Sequence, residues 1–209
     1  MAYEYDVFLS YPGDDDIAAW IRDYFAPRLH AALREDTLAT CNMPMGRIFF
    51  DRVETGQAMA RTRRFAEGIV PGDNWQESLK RAMRVSRCMV ALCSPTYFHS
   101  EWCHLELSTF LARQGRARAP IVTPVSLVPK EKLPQTYLAG FQVYELHQYV
   151  VDGPSFYGSR LFPEFVERIK QLSDFVARSI CGAPEFDIWD VAPPESPLPP
   201  PPPVRVGRF

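Results

Sequence analysis

Apolar positions along this 209-residue chain change period several times. Residues 5–11, YDVFLSY, are a short apolar and aromatic run stopped by PGDDD, which predicts a strand ending at Ser10 and Tyr11. Ile17, Trp20, Ile21 and Phe25 then keep a helical period behind the cap candidates at 14–16, with Pro27 placed to kink the helix. Residues 47–50 predict a second strand, and a long loop runs from Asp51 to Asp73. Residues 74–86 predict a helix opened by Asp73 or Asn74, with Gln76 and Glu77 placed for a capping box. Residues 87–94, RCMVALCS, are almost uninterruptedly apolar, as expected of a central parallel strand covered on both faces. A helix from about Pro95 to Arg113 follows. Residues 119–128 predict a fourth strand, pushed toward a sheet edge by Pro124. Residues 141–146 predict a fifth, and an amphipathic helix over 161–180 closes the series. Strand and helix signals alternate without an internal repeat, which predicts an α/β fold with a parallel sheet and right-handed crossovers.

This pattern covers residues 1–181. Beyond Cys181 proline dominates. Such a segment lacks the backbone donors for helix or sheet and has little to bury. Residues 182–209 are therefore expected to form a disordered, polyproline-type tail or linker. It would be a spacer to a sensor or effector module, or a docking peptide for a proline-reading groove.

One position in the helix near residues 101–113 breaks the pattern. Trp102, Cys103, Leu107, Phe110 and Leu111 share one side at about 100° per residue, and Glu106 lies among them. A carboxylate in an apolar stripe loses hydration and must be compensated. In open α/β sheets ligands bind outside the carboxyl ends of the strands. The first three strands end at Ser10–Tyr11, Phe50–Asp51 and Cys93–Ser94, which puts Ser10, Tyr11, Asp51 and Ser94 on one rim. The helix carrying Glu106 starts from that rim. Glu106 is thus either an acid facing a cleft or a core carboxylate paired with an arginine or with backbone amides.

Composition narrows the class. Lys plus Arg number 23 against 25 Asp plus Glu, so nothing points to nucleic acid or to an anionic membrane surface. No apolar run reaches the length of a membrane span. The chain opens directly in strand-like sequence, with no signal-peptide pattern. Its cysteines, at 41, 88, 93, 103 and 181, are odd in number and lack a CxxC pair. They read as thiols in a reducing compartment, the cytoplasm, and not as a disulfide frame or zinc site. No zinc spacing accompanies His104, so no metal is expected.

Three segments carry a family resemblance: YDVFLSY; FFD with the later run GDNWQESLKRAMRVSRCMVALCSPTYFHSEWCHLEL; and FPEFVERI. Together they resemble a Toll/interleukin-1 receptor (TIR) domain over roughly residues 3–180. The resemblance implies a flavodoxin-like fold with strand order 2-1-3-4-5. Many bacterial and plant TIR domains, and one animal branch, cleave the nicotinamide–ribose bond of NAD+, using the glutamate of a Trp-x-x-x-Glu pattern. That pattern is Trp102 to Glu106 here and implies that Glu106 is the catalytic residue. Trp75 matches a family position carrying an aromatic near the bound nucleotide, and Trp102 can wall the site; both also read as helix anchors.

The activity implied is that of an NAD+ glycohydrolase or ADP-ribose cyclase in bacterial antiphage defence. NAD+ is the substrate and no separate cofactor is expected, while TIR–TIR self-association is. Two other readings stay open: a non-enzymatic TIR adaptor, and a nucleoside deoxyribosyltransferase-like enzyme, against which the SPTYFHSEWC run weighs. The chain departs from the family pattern at Pro12, where several active relatives carry a basic residue. It also departs in an insertion over 52–70 that brings Arg61, Arg63 and Arg64 together.

Overall fold

β1 (Tyr5–Ser10) is buried at every position and pairs in parallel on both sides, with β2 (Arg47–Phe49) and with β4 (Ser86–Cys93). Such a strand has no solvent face, which is why its sequence does not alternate. The structure is a computed structural model and describes residues 2–13, 15–44, 46–51, 66–67, 69, 74–138, 140–151 and 153–187. β4 also pairs with β5 (Val122–Ser126), which pairs with β6 (Tyr144–Glu145). A two-residue strand, β3 (Ala66–Glu67), joins the far side of β2 from within the stretch expected to be loop. The order is β3-β2-β1-β4-β5-β6, all parallel. Without the added edge strand this is the flavodoxin-like order 2-1-3-4-5. Pro124 does not put β5 at the edge. It lies opposite Ala91 on β4, while β6 pairs only with Val125 and Ser126, so the missing N–H falls beyond that short ladder.

The first helical segment has three parts: α1 (Asp15–Trp20), a π turn (Ile21–Phe25) and α2 (Ala26–Cys41). The Ala26 N–H reaches back to the Ile21 carbonyl, so the wide turn comes just before Pro27, where a regular ladder would meet the proline ring. α3 (Trp75–Arg84) is capped by Asn74, whose side chain accepts from the Gln76 N–H at 3.2 Å. α4 (Glu101–Gln114) begins later than the sequence suggests. Ser100 caps it, accepting from the Cys103 N–H at 3.3 Å, and a 3₁₀ turn (Tyr97–His99) fills the gap after β4. α5 (Gln135–Leu138) is one turn, and α6 (Leu161–Cys181) closes the fold with Phe165, Ile169, Leu172 and Val176 buried.

The cysteine expectation is corrected. Cys41 and Cys181, the last residues of α2 and α6, form a disulfide with their Cα atoms 6.0 Å apart. Cys88, Cys93 and Cys103 are buried thiols. Disulfides persist in oxidising surroundings, so the cysteines do not argue for a reducing compartment. Among the described residues no helix is long and apolar enough to cross a membrane.

The segment after α6 starts against the body. The Tyr3 hydroxyl donates to the Pro184 carbonyl at 2.8 Å, and its ring meets Phe186 edge-on. The buried Arg113 guanidinium donates to Tyr3 Oη at 2.7 Å and to the Ser86 carbonyl at 2.8 Å. Residues 188–209, the bulk of the expected tail, lie outside the described residues, as do Arg61, Arg63 and Arg64 of the insertion.

Candidate functional site

The carboxyl ends of β1, β2 and β4 meet α4 at one rim. Ser10, the last residue of β1, donates its hydroxyl to Glu106 Oε2 at 2.5 Å. Its Oγ also lies 2.8 Å from the Tyr97 hydroxyl. Next to it, the Tyr11 hydroxyl donates to Asp51 Oδ1 at 2.5 Å. The buried Cys103 thiol, one turn before Glu106, lies 3.5 Å from the Tyr11 carbonyl and ties α4 to the end of β1. Phe8 on β1 packs on Phe110 one turn after Glu106, ring centroids 5.7 Å apart. The apolar stripe of α4 thus seats the helix on the sheet, and the acid within it lands on Ser10.

Glu106 is 6% exposed. Burial raises its pKa from 4.5 to about 8; the Ser10 hydrogen bond pulls it down and the Asp51 charge pushes it up. Tyr97, fully buried, is held well above the ordinary phenol range by burial first, then by Cys103, Cys93 and Glu106. Burial and the Glu106 charge push the Cys103 thiol up to about 12, so it is inert near neutrality. An acid titrating near neutral pH can hold a proton or a charge under mild conditions, which a surface glutamate cannot.

Trp75 at the start of α3 and Trp102 at the start of α4 face each other, ring centroids 4.7 Å apart and planes at 59°. Trp75 is 47% exposed, while Trp102 is half-buried and packs against the core, so Trp75 presents π surface to solvent and Trp102 also seats its helix.

The structure therefore joins Ser10 to Glu106, Tyr11 to Asp51, and Trp75 to Trp102. Ser94 sits apart from these pairs. Its Oγ lies 2.7 Å from Thr96 Oγ1 and accepts from the Tyr97 N–H at 3.3 Å, so it holds the turn that carries Tyr97. Tyr97 is the residue that sequence reasoning passed over. It stands inside the Ser-Pro-x-Tyr run, but no spacing signals that its hydroxyl meets β1. His104 turns toward Tyr137, ring centroids 5.6 Å apart. Pro12 is buried and supplies no basic group. Among the described residues no cluster of His, Cys, Asp or Glu is placed to hold a metal ion.

No curated protein matches this chain. Among solved structures, the TIR domain of the Toll-related receptor TRR-2 from Hydra magnipapillata is 18% identical, with a TM-score of 0.42 over 78% of this chain and 98% of its own. The TIR domains of the activated Roq1 resistosome, solved recognising the pathogen effector XopQ, are 22% identical, with a TM-score of 0.36 over 83% of each chain. Residues 57–155 match the model of the TIR domain family, and that stretch holds Trp75, Ser94, Tyr97, Trp102 and Glu106.

Proposed function

We propose that this chain is an NAD+ nucleosidase that cleaves the nicotinamide–ribose bond, with Glu106 as its catalytic carboxylate. The observation that supports this reading is an acid at the carboxyl rim of the sheet, held by a hydroxyl and titrating near 8. Cleavage passes through an oxocarbenium-like state at the ribose carbon. The electron pair of the breaking C–N bond stays on nicotinamide, which leaves neutral from a cationic ring, so no acid is needed for the leaving group. The ionised Glu106 stabilises the developing positive charge. A cationic substrate beside it favours that ionised form. Water then adds to the sugar cation and loses a proton, giving ADP-ribose, or a nitrogen of the adenine adds and gives a cyclic isomer. Trp75 and Trp102 offer π faces to the cationic ring, and Tyr11 with Asp51 is placed for the ribose hydroxyls. The antiphage role implied by the family resemblance would rest on this reaction.

The test is Glu106→Gln, which keeps the shape and removes the charge. Nicotinamide release should fall at least about a hundredfold, the size of losing one preorganised electrostatic contact, with a melting temperature no lower than that of the wild type. A folded variant with wild-type turnover would refute the assignment. A second reading, a TIR adaptor acting by assembly, draws on the low exposure of Glu106. It is selected if the wild-type protein releases no nicotinamide and Glu106→Gln melts early.

A further inference from the structure

We propose that Tyr97 is a positioning residue for Glu106, acting through the Ser10 hydroxyl to orient the carboxylate and ease its ionisation for substrate. This rests on the reading of Glu106 as the catalytic carboxylate.

Three oxygens lie in a row: Tyr97 Oη, Ser10 Oγ at 2.8 Å, and Glu106 Oε2 a further 2.5 Å on. A serine hydroxyl has one proton to give. When Glu106 is ionised it can only accept, so Ser10 must donate to it. The Ser10 oxygen then takes its own hydrogen bond from Tyr97. Both protons point toward the carboxylate, and each bond polarises the next. When Glu106 is protonated that direction is no longer imposed, because the acid proton can itself go to Ser10. The row thus favours the charged form over the neutral one.

Tyr97 is built to remain the donor at its end. It has no exposed surface, and its backbone N–H is held by the Ser94 carbonyl at 3.1 Å and by Ser94 Oγ. Phe98 packs edge-on against its ring. Burial keeps the phenol protonated throughout the range in which Glu106 titrates. Other titratable groups act on this row from the surrounding elements. They are Asp51 at the end of β2, itself bonded by Tyr11, Cys103 on α4, and Cys93 at the end of β4. Asp51 opposes ionisation of Glu106, and both thiols stay neutral near pH 8. Removing the Tyr97 hydroxyl leaves all three in place.

Tyr97→Phe keeps the ring and deletes that hydroxyl. The full chain is labelled with ¹³C at the glutamate carboxyls and titrated without substrate; Glu106 is identified by the resonance missing from Glu106→Gln. The Glu106 midpoint should move up by about one pH unit in Tyr97→Phe, the scale of weakening a hydrogen bond to a charged group. With NAD+, kcat/KM at pH 7 should fall about tenfold and should recover as pH rises past the new midpoint. A ring that serves only as packing would leave both midpoints where they were. As a second variant, 3-fluorotyrosine at position 97 is a stronger donor of the same shape, and should move the midpoint down.

An unmoved midpoint in either variant overturns the relay. A kcat/KM loss equal at every pH overturns its role in easing ionisation. The titration needs no substrate, so a moved midpoint in a protein that leaves NAD+ intact instead removes the nucleosidase reading, and the two failures are told apart.

Discussion

Replacing Glu106 with glutamine should stabilise this protein by an amount that depends on pH. The folded protein holds the Glu106 carboxyl at about 8, against an ordinary value of 4.5. Below pH 4.5 the carboxyl is protonated in both the folded and the unfolded chain, and it costs nothing. Between 4.5 and 8 the unfolded chain releases the proton while the folded one keeps it. Stability then drains away at about 1.4 kcal/mol per pH unit. Above 8 both states are ionised and the loss levels off, at an upper bound of about 5 kcal/mol. Glutamine does not titrate and can still accept from Ser10 through its carbonyl oxygen. The difference between variant and wild type should therefore be small near pH 4.5 and grow to several kcal/mol by pH 8. Urea unfolding of both proteins at pH 5, 6.5 and 8 measures it, and every other titrating group cancels in the difference. A gap that does not change with pH would refute the reasoning. A wild type that gains on the variant as pH rises would mean that Glu106 is charged and paired in the resting fold.

The disulfide and the first residues after α6 give two more tests. The Cys41–Cys181 bond spans 140 residues of chain, so in the loop-entropy view its reduction, or Cys41→Ser with Cys181→Ser, should cost up to about 5 kcal/mol; an unfolding midpoint insensitive to reductant would contradict this. Truncation after Asp187 should leave the midpoint unchanged, whereas truncation after Gly182 strips Tyr3 of the Pro184 carbonyl and the Phe186 ring and should cost roughly 1–2 kcal/mol; equal midpoints for the two truncations would show that this contact carries no stability.

The sheet was legible because its strands announce themselves. The run at 87–94 is too apolar and too short for a surface helix, and it is β4, flanked on both sides. Glu106 was legible as an acid at a helical position where its neighbours are apolar, and burial follows from that alone. What escaped depends on tertiary neighbours. Cys41 and Cys181 are far apart in sequence and meet because α2 and α6 end side by side. β3 is two residues long and carries no periodic signal. Tyr97 stands in a recognisable run, yet its hydroxyl acquires meaning only from Ser10, 87 positions earlier. Pro27 signalled a disturbance correctly; that it takes the form of a π turn is decided by the backbone ladder, which sequence does not display.

The disulfide also fixes which parts of the molecule share a covalent ring. Cys41 and Cys181 close a circle of chain that holds β2 through β6, Asp51, both site tryptophans and Glu106. β1, with Ser10 and Tyr11, stands outside that circle and lies between β2 and β4, two strands that belong to it. A single protease cut anywhere from 42 to 180, including the long stretch after β2, therefore opens the circle without releasing a fragment. The nicked protein keeps its full mass on a non-reducing gel and separates into two pieces only when a thiol is added.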